Sequence, residues 1–188
     1  MRFKFNGYLY VMGNRNKNEL ILVLGGARSG KSSWALKYAE DNYASCLFLA
    51  TGEVTDEEME ERIRLHKEAR GPRWKLLEEP LNVPEALEYK CEGADAVLID
   101  CMTIWQSNIL MKMGAEKIPA FRKKLIEILS RRSRTIILVS NEVGFGIVPV
   151  NPVARQFRDF AGTLNQELAA LADKVVMTVA GLPLFLKE

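Results

Sequence analysis

The sequence G-G-A-R-S-G-K-S at residues 25–32 constrains this chain more than any other feature. It has the form G-x-x-x-x-G-K-S, in which a glycine-rich backbone closes around phosphate oxygens. An apolar run at 20–24 precedes it, and Trp34 and Tyr38 follow it at helical spacing. A phosphate loop needs this context, because the helix directs its free N–H groups and its dipole at the anion. We therefore predict a phosphate site formed by Gly25, Gly26, Ala27, Arg28, Ser29, Gly30, Lys31 and Ser32.

Three side chains have expected roles in such a site. Lys31 should reach the β- and γ-phosphates, and the Ser32 hydroxyl should bind Mg²⁺. Asp100 ends an apolar run, as the acidic residue of a Walker B strand does, and we predict it as the second residue that holds Mg²⁺. The alternative is that Asp100 only caps the helix that follows.

Apolar runs and amphipathic segments alternate along the chain. Buried strands are predicted after residue 25 at 45–50, 96–100, 135–139 and 175–179, with a short edge strand at 184–186. Helices are predicted at 33–40, 55–70, 84–89, 103–113, 121–128 and 153–171. This order predicts an α/β fold of the P-loop NTPase type, a doubly wound, mostly parallel sheet with helices on both faces. Ligands in such sheets bind at the carboxyl ends of strands, which favours Ala50, Thr51, Gly52 and the loop 143–149.

His66 is the only histidine of the chain. A capping box at 55–58 opens its predicted helix, and Met59, Ile63 and His66 fall on one face. A single histidine on an apolar face is either a packed core residue or a functional one, and the residues alone leave both open. The basic residues that follow it favour an anionic ligand.

Composition excludes several classes of protein. The 188 residues, 48% apolar, suit one α/β domain with a full core and argue against disorder. A net charge of +2, from 26 basic and 24 acidic residues, argues against a nucleic-acid surface. We expect no membrane span, since no apolar run is long enough, and no secretory segment. Three cysteines without metal-type spacing fit a reducing cytoplasm.

The first residues differ from the rest. Apolar and polar residues alternate around Asn6-Gly7, a strong hairpin signal, and a polar stretch follows to Glu19. We expect a non-catalytic extension at 1–19 and one catalytic domain at 20–188. Three alternatives stay open for this extension. It pairs with a sheet edge, it is disordered, or it is an artefact of a start upstream of Met12.

Over about residues 20–187 the chain resembles the bifunctional adenosylcobinamide kinase / adenosylcobinamide-phosphate guanylyltransferase family of cobalamin biosynthesis. Many unrelated proteins share the phosphate loop, whereas the run N-E-V-G-F-G-I-V-P at 141–149 is far more specific. The other landmarks are Ala50-Thr51, Arg62-Ile63, His66-Lys67, Arg70, Trp74, Glu78, the run 97–101, Ser107-Asn108, Arg155, the run 157–159, Gly162 and Asn165. The extension before Glu19 departs from the family pattern.

The resemblance implies two reactions. ATP or GTP phosphorylates the aminopropanol hydroxyl of adenosylcobinamide, and GTP then gives GMP to that phosphate, forming adenosylcobinamide-GDP and pyrophosphate. The guanylyl group passes through a histidine, which corresponds to His66, and the family assembles as a homotrimer. Nucleotide contacts are implied in the phosphate loop and at Ala50, Thr51, Gly52, Lys67, Glu68, Ala69, Arg70, Glu78 and Asp100.

Two other functions stay open. A P-loop kinase for a different small molecule, without nucleotidyl transfer, would use His66 structurally and form no covalent GMP adduct. A P-loop switch or assembly ATPase would bind a protein through the apolar seam at 153–171, and that protein would stimulate its hydrolysis of triphosphate.

Overall fold

The computed structural model describes residues 18–53 and 74–188, and the backbone of 2–5 and 8–11. The helices are α1 (Lys31–Asn42), α2 (Val83–Tyr89), α3 (Met102–Met113), α4 (Ile118–Ser130) and α5 (Pro152–Leu171), with a 3-10 turn at Ala115–Lys117. The strands are β1 (Arg2–Phe5), β2 (Tyr8–Val11), β3 (Leu20–Gly25), β4 (Cys46–Ala50), β5 (Trp74–Glu78), β6 (Ala96–Asp100), β7 (Thr135–Asn141), β8 (Lys174–Val179) and β9 (Leu182–Lys187).

Seven strands form one sheet in the order β5-β4-β6-β7-β3-β8-β9. All neighbouring pairs are parallel except β8 and β9, which form an antiparallel hairpin. The predicted doubly wound, mostly parallel sheet is therefore confirmed. Strand order departs from chain order, and the chain joins parallel neighbours through crossovers rather than tight hairpins.

Helices cover both faces of the sheet. Alternate residues of β3 point to opposite sides, so Ile21 and Val23 pack in the layer beneath α1. Leu20, Leu22 and Leu24 pack in the opposite layer, with apolar side chains of α2 to α5. Burial on both faces explains the continuous apolar runs by which the central strands were predicted.

The observed elements differ from the predicted ones in a few places. β5 was not predicted, because Trp74–Glu78 lies at the sheet edge and its side chains are only half-buried or exposed. β7 extends to Asn141, and β9 covers more than the predicted 184–186. The helix predicted at 55–70 lies outside the described residues.

The hairpin predicted in the N-terminal extension is present. β1 and β2 pair antiparallel with Phe5 opposite Tyr8, in a two-stranded sheet of their own.

Candidate functional site

The phosphate loop connects the carboxyl end of β3 to the first turn of α1. Gly30 is the N-cap of α1 with a φ of 93°, a left-handed conformation that favours glycine. The Lys31 ammonium donates a hydrogen bond to the Gly26 carbonyl at 3.0 Å, so it folds back across the loop. Ala27 and Arg28 are exposed, whereas Ser29 is buried.

The β8–β9 hairpin contacts this loop through hydrogen bonds to Ser29. Ser29 Oγ lies 2.8 Å from Thr178 Oγ1 on β8, and the Gly181 N–H donates to the Ser29 carbonyl at 2.9 Å. Gly25 and Gly30 allow the hairpin to approach the loop this closely, because neither carries a Cβ. A Cβ on Gly25 would lie 2.5 Å from Thr178 Oγ1, and one on Gly30 would lie 3.1 Å from the Gly181 Cα. Sequence reasoning missed the role of Thr178, for which no local pattern provides a signal.

The ends of three neighbouring strands bring the next predicted residues into one row. Ala50 of β4 pairs with Glu78 of β5 on one side and with Asp100 of β6 on the other. Thr51 is fully buried; its hydroxyl donates to the Cys101 carbonyl and accepts from the Cys101 N–H, both at 2.8 Å. The ends of β4 and β6 are thereby held together. Glu78 is exposed, and Gly52 is half-buried.

Asp100 is the last residue of β6, two strands away from β3, which leads into the phosphate loop. Burial and the Asp100 carboxylate raise the pKa of the Cys101 thiol to about 12, while the Lys31 ammonium acts in the opposite direction. The Asp100 carboxylate and the Lys31 ammonium therefore act in opposite directions on the same thiol. The N-cap of α3 is Cys101, whose sulfur accepts from the Ile104 N–H, so the alternative role of Asp100 as that cap is not observed.

The loop after β7 is fixed at both ends. Its start is held to the phosphate loop, since the Glu142 N–H donates to the Gly25 carbonyl at 3.0 Å. The Glu142 carboxylate accepts from the Gly144 N–H at 2.6 Å. At the far end Arg155, on α5, donates to the carbonyls of Pro149 and Val150, which holds the end of the loop against the first turn of that helix.

The remaining predicted residues lie outside the described part of the chain. These are His66, Lys67, Glu68, Ala69 and Arg70. The described chain leaves the sheet after β4 and re-enters it at Trp74, the first residue of β5. The roles of residues 66–70 therefore stay predictions.

Residues 18–53 and 74–188 contain no group of three or more His, Cys, Asp or Glu side chains placed to hold a metal ion. Mg²⁺ in phosphate sites needs only one or two carboxylates, since waters and phosphates supply its other ligands. None of the helices in these two ranges is long and apolar enough to cross a membrane.

The sheet order, the loop and the acidic residue two strands away define a protein of the P-loop NTPase-type α/β class. Within this class, residues 21–186 match the model of the cobinamide kinase / cobinamide phosphate guanyltransferase family. The chain belongs to this family, which confirms the resemblance described above.

Two curated relatives cover most of the chain. It is 40% identical to the bifunctional adenosylcobalamin biosynthesis protein CobP of Pseudomonas aeruginosa, over 88% of this chain and 96% of the relative. It is 36% identical to the bifunctional adenosylcobalamin biosynthesis protein CobU of Escherichia coli, over 89% of this chain and 99% of the relative.

A solved structure supports the fold alone. A Pyrococcus horikoshii OT3 protein, PH0250, superposes with a TM-score of 0.55 at 11% identity, covering 93% of this chain and 88% of the other. At this low identity the superposition concerns the arrangement of strands and helices and carries no information on substrates.

Proposed function

We propose that this protein phosphorylates adenosylcobinamide with ATP or GTP and then transfers GMP from GTP to the product. The observation that carries this proposal is the family match over residues 21–186. The phosphate loop beside Asp100 supports it, because both reactions act on a nucleoside triphosphate. The names of the two relatives, which describe bifunctional adenosylcobalamin biosynthesis proteins, agree with two activities.

In the first step the aminopropanol hydroxyl attacks the γ-phosphorus. The new O–P bond replaces the bond to the β,γ-bridging oxygen, a nucleoside diphosphate leaves, and the hydroxyl proton is released. We propose that the loop N–H groups and Lys31 hold the phosphates during this transfer. Positioning and charge stabilisation account for most of the catalysis of phosphoryl transfer.

Ser32 and Asp100 are the residues that we propose for Mg²⁺. Hydroxyl and carboxylate oxygens are ligands that this hard cation prefers, and both residues are half-buried at the carboxyl edge of the sheet. When bound, Mg²⁺ supplies positive charge to the phosphate oxygens.

In the second step we propose His66 as the nucleophile. An imidazole nitrogen attacks the α-phosphorus of GTP, pyrophosphate leaves, and a P–N bond forms. A phosphate oxygen of adenosylcobinamide phosphate then displaces the histidine, which gives adenosylcobinamide-GDP. Lys67 and Arg70 follow His66 by one and four residues, so one helix can carry the nucleophile and cations that hold phosphates.

We also propose a domain organisation, a set of nucleotide contacts and an oligomeric state for this protein. Residues 20–188 form the catalytic domain, and Ala50, Thr51, Gly52 and Glu78 contact the nucleotide with the loop and the 67–70 segment. The protein is a cytoplasmic homotrimer. Cys46, Cys91 and Cys101 are buried and form no disulfide, which supports a reducing compartment.

The covalent intermediate gives the sharpest test of this function. The protein is incubated with Mg²⁺ and GTP labelled at either the α- or the γ-phosphate. Only α-label should remain on the protein, stable to base and released by acid, as expected for a phosphoramidate. His66→Asn should lose this label and the guanylyl transfer but keep kinase activity, because phosphoryl transfer to a hydroxyl needs no histidine nucleophile.

The kinase-only alternative predicts a different result. If wild-type protein phosphorylates a small molecule but takes up no α-label and forms no adenosylcobinamide-GDP, nucleotidyl transfer is excluded and His66 is structural. Label on a His66→Asn protein would instead assign the nucleophile to another residue.

A further inference from the structure

Asn141 is the last residue of β7, the strand between β3 and β6. It pairs with Gly25, the first residue of the phosphate loop. Ile137 and Val139 pack in the layer beneath α1, and strand alternation puts the Asn141 side chain on that same face. Lys31 begins α1, so the amide lies on the side of the sheet that the phosphate loop crosses. It is half-buried and makes no hydrogen bond within the described part of the chain.

The backbone of Asn141 is held from the opposite face. β6 ends opposite Val139, so it offers Asn141 no ladder partner. Side chains replace that ladder: the Asn141 N–H donates to Thr103 Oγ1 at 2.7 Å, and Asn165 Nδ2 donates to the Asn141 carbonyl at 3.2 Å. Ser140 Oγ in turn donates to Asn165 Oδ1 at 2.7 Å.

Thr103, Ser140 and Asn165 are each at most 5% exposed. Buried polar side chains are costly unless they are hydrogen-bonded. These three bond to one another or to the Asn141 backbone, although a purely apolar layer would pack there without this cost. The arrangement holds the end of β7 in one position while leaving the Asn141 amide available.

We propose that the Asn141 side-chain N–H donates a hydrogen bond to the terminal phosphate of the nucleoside triphosphate during phosphoryl transfer. Thr103, Ser140 and Asn165 are positioning residues that act through Asn141. This inference rests on the proposed kinase function. A neutral donor suits the place, because Asp100 lies on the same face one strand away, and a second carboxylate would repel the phosphates.

The first test compares Asn141→Asp with Asn141→Ala in the adenosylcobinamide kinase assay with saturating ATP and Mg²⁺. Loss of one preorganised donor lowers kcat by about 10²-fold, which we expect for Asn141→Ala. Asn141→Asp should be slower still, because a carboxylate neither donates nor tolerates the phosphate charge. If Asn141 only fills space, the isosteric aspartate should be the better enzyme of the two, and that order would refute the proposal.

Asn151→Asp is the matched control. Asn151 is exposed and caps α5 through hydrogen bonds from Val153 and Ala154, a position where aspartate serves equally well. It introduces the same charge at the N-cap of α5 and not at the end of β7, so kcat should be unchanged. If Asn141→Asp does not fold, Asn141→Ser and Asn141→Ala replace the pair, since serine retains a donor. Equal kcat values for those two would refute the proposal.

The second test addresses Asn165. Asn165→Ala should lower kcat in the wild-type background and have no further effect on kcat in an Asn141→Ala background. A merely structural role would give the same fractional loss in both backgrounds. A wild-type protein that does not phosphorylate adenosylcobinamide would overturn the proposed function, whereas an active wild type with unaffected Asn141 variants would overturn this inference alone.

Discussion

Replacement of Thr178 by valine should lower the free energy of unfolding, because the Thr178 hydroxyl is hydrogen-bonded to the phosphate loop. Thr178 is 1% exposed, and its hydroxyl donates to the Leu24 carbonyl at 3.2 Å. Because a hydroxyl has one proton, Ser29 must be the donor of the 2.8 Å contact with Thr178. Thr178→Val therefore removes both hydrogen bonds of this hydroxyl and leaves the buried Ser29 hydroxyl without its acceptor. An unsatisfied buried polar group costs about 1–3 kcal/mol of unfolding free energy.

Ser29→Ala should cost less, about 0.5–1.5 kcal/mol, because the Thr178 hydroxyl keeps its bond to Leu24. The double variant should cost less than the sum of the two single variants, by about 1 kcal/mol, since no orphaned Ser29 hydroxyl remains. Unfolding free energies from urea titration followed by circular dichroism measure all three. The KM for GTP should rise in parallel if the hairpin holds the loop in its binding conformation.

Thr163→Val serves as the control. Thr163 is exposed on α5 and bonds only within its own helix, to the Asp159 carbonyl. Its replacement should change stability by no more than about 0.5 kcal/mol. Strictly additive single variants, or a Thr178→Val protein as stable as Thr163→Val, would refute the argument that the hydroxyl pair supports the loop.

Three further outcomes are expected. Lys31→Ala should abolish both proposed reactions in a protein whose circular dichroism is unchanged, because it removes the charge expected on the β- and γ-phosphates; substantial activity in the folded variant would contradict this. Asp100→Asn should shift the Mg²⁺ titration of activity to higher concentration, since it removes an anionic ligand beside Ser32, and an unchanged curve would exclude a metal role. Deletion of residues 1–18 should leave activity near wild type, because the seven-stranded sheet begins at Leu20, whereas aggregation would indicate that the extension covers a sheet edge.

Patterns within single elements predicted much of the fold. The phosphate loop, the apolar runs of the central strands and the helical spacings of α3 and α5 are local properties of consecutive residues. Burial on both faces makes central strands apolar throughout, so they were recognisable without their neighbours. β5 was not predicted, because an edge strand pairs with only one neighbour and needs only one covered face. Its sequence therefore need not be apolar throughout. Its exposed Lys75 and Leu76 follow no burial period.

The site depended on contacts that no local pattern contains. Thr178 meets Ser29 across 149 residues of chain, and Asn165 reaches the Asn141 carbonyl across 24. The sequence by itself determined the fold class, the loop and the acidic strand end, because short-range sterics and hydrophobic periodicity specify these. Only the tertiary structure decided that β7 lies between β3 and β6, which makes Asn141 a neighbour of the loop, because strand order follows from packing of the whole sheet against both helix layers.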